Sequence, residues 1–236
     1  MIAINYPRFN SAPFRSILGC ALLLGSAALA EADVTLKGVV GARTIDDDVV
    51  VARNTTCVLN GTFIKGNIRV LSGAKLVTYR AKVNGNVQAF DAFKVELREF
   101  SRIGGDVQGE GTRSVIVRGG TRVGGNVQLT VAAAPSGVNA LMVINATVIG
   151  DVQAEKGTGR LEVTNNRIDG NLQFVENTRG PYLIRKNRID GDLQFFKNRG
   201  AGTITGNRVG GNLQSKENSP RPTVSGNIVE GSLEVE

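Results

Sequence analysis

The side chains able to do chemistry in this chain are carboxylates, cations and amides, because it contains no histidine. That removes Ser-His-Asp triads, Cys-His dyads and imidazole-ligated metals together. Asp169 and Asp190 stand out by spacing. They occupy the same place in two near-identical phrases, NRIDGNLQF at 166–174 and NRIDGDLQF at 187–195. Stacked one above the other, two carboxylates can share a proton or flank a sugar, as in acid–base hydrolysis of glycosides. Against that, both follow a repeat consensus, whereas a catalytic residue is expected to break one, and no long loops stand ready to wall a cleft.

A longer series is basic. Lys82, Arg102, Arg122, Arg167, Arg188 and Arg208, with Thr147 interposed, each stand three residues before a recurring Gly. Three residues after that Gly stand Gln88, Gln108, Gln128, Gln153, Gln173, Gln194 and Gln214. Stacked outward, these series make a face of cations and amides suited to a polyanion such as an acidic polysaccharide. The competing reading is a solvated face that keeps the protein soluble. No cofactor is expected, since neither a Walker loop nor a Rossmann fingerprint occurs among the abundant glycines. No metal site is expected either: Asp46, Asp47 and Asp48 form an acidic triplet with no spaced ligand set after it, read as a solvated turn.

What positions these residues is a repeat. The tetrad Gly-(Asn/Asp)-(Val/Leu/Ile)-Gln recurs from Gly66 through Gly85, Gly105, Gly125, Gly150, Gly170, Gly191 and Gly211 to a degenerate copy at Gly231, in steps of 19, 20, 20, 25, 20, 21, 20 and 20 residues. Between tetrads, apolar residues alternate with polar ones over runs of three to five, broken by Gly and Asn, the pattern of short strands joined by tight corners. A unit of about twenty residues cannot bury its own apolar face and must stack on its neighbours. The Leu-x-x-Leu-x-Leu rhythm of leucine-rich repeats is missing. The fold class expected is all-β, a single-stranded parallel β-helix of about nine coils, rising about 4.8 Å per coil.

Stacking explains the repetition itself. Asn166, Asn187, Asn207 and Asn227 would form one ladder at a corner, and Asn177, Asn198 and Asn218 a second. Asn amides hydrogen-bond to their own copies, and Asn tolerates the left-handed backbone of a tight corner. Ile or Val two residues before the tetrad Gly, and Leu or Val two after it, point inward, and Phe174 and Phe195 share one interior slot. The 25-residue step carries its surplus near 132–137, AAAPSG, a loop composition on one flank; it is read as a neutral insertion, because loops tolerate added length at little cost.

Residues 1–30 read as a secretory signal peptide. Arg8 and Arg15 precede an apolar run from Ile17 to Ala30 that ends in Ala28-Leu29-Ala30. Cleavage there would lower the net charge from +7 to +5, remove Cys20 and leave Cys57 without a disulfide partner. Residues 31–56 are assigned to an N-terminal partial coil or cap and 57–236 to the repeat domain. Glu230, Glu234 and Glu236 on the last coil discourage strand pairing between molecules, so a monomer is expected. Sequons at Asn54, Asn60 and Asn145 are read as accidents of composition.

The segment TTCVLNGTFIKGNIRVLSGAKL, followed by NRIDGNLQ and SKENSPRPTVSGN, resembles a group of exported bacterial parallel β-helix repeat proteins over roughly residues 50–236. The resemblance implies a right-handed β-helix and an envelope or extracellular setting, and it brings no catalytic residues. Bactofilin-type polymers are a more distant comparison, usually cytoplasmic. The expected role is a secreted or periplasmic β-solenoid that binds acidic polysaccharide through its stacked Lys/Arg and Gln face. A polysaccharide lyase or glycoside hydrolase using Asp169 and Asp190 is the alternative, and self-assembly in the envelope a second. Nucleic acid is not expected as a partner, with aromatics at only 5%.

Overall fold

The computed structural model describes residues 33–132, 134, 135 and 138–236. The leader assigned to residues 1–30, with Cys20, lies outside them. Every regular element among the described residues is a strand, so none is a helix long and apolar enough to cross a membrane. The strands fall into three parallel sheets of 11, 10 and 10 members, each built from every third strand of the chain. The first sheet runs from Val34–Leu36 to Leu233–Val235 and carries the end of each tetrad. The second runs from Gly38–Val40 to Thr223–Ser225 and contains the longest strand, Asn139–Ile144. The third consists of two-residue strands, from Thr44–Ile45 to Ile228–Val229. The chain is therefore a parallel β-solenoid of ten three-strand turns closed by one further strand.

There are more turns than tetrads because coils form before the tetrad becomes regular. Val34, Val49 and Ile68 are in register across the first sheet. Residues 34–51, expected to form a partial coil, already supply strands to all three sheets. The acidic triplet belongs to this pattern: Asp48 stands where later coils place the tetrad Asn, and its Oδ1 accepts the Asn67 amide at 2.8 Å.

That bond repeats along the rod. The side-chain oxygen of each tetrad Asn or Asp accepts the backbone N–H of its counterpart in the next coil, from Asp48 through Asn67, Asn86, Asp106, Asn126, Asp151, Asn171 and Asp192 to Asn212, at 2.6–2.9 Å. The preceding glycine is a steric condition for this ladder. A Cβ on Gly125 would lie 2.1 Å from the Asp106 Oδ1, and one on Gly105 would lie 2.1 Å from the Asn86 Oδ1. The acceptor oxygen occupies the place a side chain would take.

The two expected Asn ladders are present, buried except at their last members, Asn218 and Asn227, which are half-buried. Asn166, Asn187 and Asn207 each donate Nδ2–H to the Oδ1 of the next Asn at 2.9–3.0 Å, ending on Asn227. Asn177 and Asn198 do the same, ending on Asn218. Each Nδ2 also donates to a backbone carbonyl, such as Val163 for Asn187 and Phe174 for Asn198. All donors and acceptors of these interior amides are thereby used, which their burial requires. Earlier coils place small residues at the first of these corners: Thr62, Ala81, Ser101, Thr121 and Ala146, all buried. There the hydroxyls of Ser101 and Thr121 donate to the Arg98 and Arg118 carbonyls, both at 2.7 Å.

The core between the sheets is a column of Val, Ile and Leu. Ile168 and Leu172, which bracket one tetrad Gly, are fully buried, as are their counterparts Val148, Val152, Val209 and Leu213. Phe174 and Phe195 stack with centroids 6.3 Å apart, and Tyr182 packs edge-on to both while its hydroxyl donates to the Arg199 carbonyl. Cys57 is buried, and desolvation pushes its thiol up to about 11, so it serves as a small apolar filler.

The glycine condition predicts a contrast. Gly125→Ala should destabilise the protein by about 2–3 kcal/mol in urea unfolding, through a clash that breaks a ladder bond. Gly41→Ala, whose Cβ would meet nothing within 4 Å, should be neutral or slightly stabilising. Equal effects at the two sites would refute the steric role of the tetrad glycine.

Candidate polyanion-binding site

The basic series lies on the outer face of the third sheet, in one column. Phe63, Lys82, Arg102, Arg122, Thr147, Arg167, Arg188 and Arg208 are successive partners in its parallel register. Two-residue strands fix this placement. The second residue of each, such as Ile103 or Val123, is buried, so the first must face outward. All six cations are exposed.

The column divides into two halves by charge. In the later half, Arg167 Nε lies 2.8 Å from Asp169 and its Nη2 3.1 Å from Asp190, Arg188 Nε lies 3.0 Å from Asp190, and Arg208 lies 2.7 Å from Glu230. Asp169 and Asp190 are thus linked through Arg167, on an exposed sheet face. Each carboxylate is engaged by a guanidinium. In the earlier half, among the described residues, no carboxylate lies within ion-pair distance of Lys82, Arg102 or Arg122. Where the later half has Asp169 and Asp190, these coils have Asn84, Gly104 and Gly124. A Cβ on Gly104 or Gly124 would lie 2.2 Å from a backbone oxygen of the coil below. Nothing therefore screens Arg102 or Arg122 from that side. The Lys82 ammonium sits 4.4 Å from the centroid of the Phe63 ring, a cation–π contact that leaves its charge available.

The Gln series lies on the first sheet, across the tetrad corner from the cations. Its amides are joined to one another. Each Nε2 from Gln88 to Gln173 donates to the Oε1 of the next Gln at 2.9–3.3 Å, which includes Gln153, Gln173 and Gln194, and Gln214 donates to Glu234. The amide ladder is first a bracing device; Gln153 also donates to Asp151 at 3.3 Å, and the other linked amides each keep one N–H for an outside partner. Glu230, Glu234 and Glu236 turn back onto Arg208 and Lys216 of the preceding coil.

A second charged cluster is only partly legible in the sequence. Glu96 lies on the outer face of the second sheet, in register with Val77 and Ile116, yet its side chain is only 4% exposed. Lys94, Arg98 and Arg118 surround it at 2.9, 3.1 and 2.7 Å. Alternation in KVELR puts Lys94, Glu96 and Arg98 on one outward face, and stacking of the next coil adds Arg118. Burial works against its charge, but hydrogen bonding to Lys94 and Arg118 and the fields of Lys94 and Arg98 outweigh it, so the carboxyl is held below the ordinary range.

Charge along the rod is uneven. Residues 75–122 hold nine Lys and Arg against five Asp and Glu, a net +4 out of the +5 carried by residues 31–236. The unpaired half of the column lies within this stretch. Among the described residues, no group of three His, Cys, Asp or Glu side chains is placed to hold a metal ion.

Comparison with known proteins returned no matching family model, no matching curated protein and no matching solved structure. Of the resemblance drawn from the repeats, the structure shows the parallel β-solenoid.

The Glu96 cluster predicts a pH dependence. Its folded-state pKa lies below the unfolded value near 4.5, so its stabilising contribution is complete above that value and is lost as pH falls below it. The urea midpoint should therefore drop more steeply between pH 6 and pH 3 for the wild type than for Glu96→Gln. Parallel curves would show that Glu96 is not linked to folding.

Proposed function

We propose that this protein is an exported, non-enzymatic rod that binds acidic polysaccharide on the third sheet, at Lys82, Arg102 and Arg122. The observation that carries the reading is the unscreened half-column. Three exposed cations stand one coil apart, about 4.8 Å, within residues 75–122, which carry a net +4. A linear polymer with carboxylates along its length can meet them in sequence while the sheet stays rigid, so little side-chain ordering is needed beyond the cations themselves. Arg presents a planar fork to each carboxylate, which suits bidentate recognition. The later cations, Arg167, Arg188 and Arg208, are already neutralised and contribute less. The signal-like N-terminus supports a role outside the cytoplasm.

The test is binding of purified protein to polygalacturonate and alginate, at low and physiological salt. Arg102→Glu and Arg122→Glu should each weaken binding on the order of ten-fold, the scale of one charge-assisted contact. Arg188→Glu and Arg208→Glu should have smaller effects. Rising salt should weaken the wild type and have less effect on the double variant Arg102→Glu/Arg122→Glu. Equal losses in the two halves, or binding indifferent to salt, would overturn the assignment. Products released from the polymer would overturn the non-enzymatic reading.

A further inference from the structure

The longest step in the period, of 25 residues, builds a groove on a different flank. Its extra residues bring Pro135 and Val138 over the outer face of the second sheet, where Phe93, Lys94, Arg113, Ser114, Ile116 and Asn139 complete a slot of about 230 Å³. The turn is anchored from both sides. The Thr158 hydroxyl is bonded to the Ala134 carbonyl at 2.8 Å, and the Ser114 hydroxyl donates to the Asn139 carbonyl at 2.7 Å. Gly159 makes room for it: at φ +107° a Cβ there would lie 2.8 Å from the Ala134 methyl and 2.9 Å from the Val138 oxygen. Ala140 is accommodated as a bulge, with Asn139 opposite Arg160 and Leu141 opposite Leu161.

The chemistry of the slot is unlike that of the third-sheet column. Its walls are apolar, and two of them, Phe93 and Val138, are each 42% exposed. The polar groups are largely committed. The Ser114 hydroxyl is spent on Asn139, and Lys94 pairs with Glu96 at 2.9 Å. Arg113 is exposed, and among the described residues it has no ion pair. Its guanidinium carbon stands 5.5 Å from the Phe93 centroid, and the Lys75 ammonium stands 4.5 Å from the same ring. A sugar needs several directed hydrogen bonds, whereas the lining side chains with no hydrogen bond or ion pair among the described residues are Arg113 and the Asn139 amide. A flat apolar body with one carboxylate needs an apolar wall and one unpaired cation, and it finds both.

We infer that the slot between Phe93, Arg113 and Val138 binds aromatic carboxylates. Their ring lies along Phe93, Ile116 and Val138, and their carboxylate meets Arg113. This site is separate from the polysaccharide column and does not depend on it.

The experiment is calorimetric titration of the purified protein with naphthalene-2-carboxylate, and with naphthalene-2-methanol as the uncharged control. The acid should bind at sub-millimolar concentration and the alcohol at least ten-fold more weakly. Arg113→Met should abolish that preference, and Phe93→Ser should weaken the acid at least ten-fold. Should Phe93→Ser lower the melting temperature, Arg113→Met decides alone, since Arg113 is exposed and unpaired. Arg102→Glu/Arg122→Glu should bind the acid as the wild type does. Equal affinity for acid and alcohol, no binding at millimolar concentration, or loss of binding in the third-sheet variant would each overturn the inference.

Discussion

One interlock governs the whole rod: a tetrad side-chain oxygen in one coil accepts the backbone N–H of its counterpart in the next, in the space left by a glycine that has no Cβ. Each half of the interlock requires the other. Without glycine the oxygen cannot approach; without the oxygen the corner N–H would have no partner. Both parts recur at every coil from Gly66 onward, so the period is fixed within narrow limits and each strand meets its copy in register. The inner Asn ladders, the Gln ladder and the column of cations are consequences, because equal periods place equal residues above one another.

Much of this was legible in the sequence, for a physical reason. A solenoid repeats one local environment, so a residue that satisfies it once is written again. The tetrads, both Asn series and the Phe174–Phe195 stack follow from that alone. What stayed hidden was whatever does not repeat. Asp48 plays the tetrad role without the tetrad glycine, so the acidic triplet resembles a solvated turn. Tyr182 joins the aromatic stack from a position that Gly202 holds one coil on. The burial of Glu96 depends on three cations from two different coils.

The candidate site shows the same limit. The spacing of Lys82, Arg102, Arg122, Arg167, Arg188 and Arg208 predicted one outward column, and register delivers it. Its division into a screened and an unscreened half depends on distances between neighbouring coils that spacing does not contain. Arg167 reaches both Asp169 in its own coil and Asp190 in the next, which turns an apparent carboxylate pair into part of an ion network. The amide column, expected beside the cations, proves to be hydrogen-bonded along itself on the adjoining sheet.

The ladders also differ in direction, and this gives the rod a grammar of growth. At the tetrad corner the earlier coil holds out the acceptor and the later coil supplies the N–H, as Asp151 does for Asn171. At the inner Asn corners the order is reversed: the backbone N–H of Asn166 waits for the Oδ1 of Asn187, and that of Asn177 for Asn198. A coil emerging during synthesis finds an acceptor ready at one corner and completes its predecessor at two others. In the second half of the rod no coil is finished until the next has arrived. Nearest-neighbour coupling of this kind makes stability a property of adjacent pairs rather than of single repeats. A coil lost from either end exposes the one behind it, so unravelling should proceed inward from the ends, turn by turn.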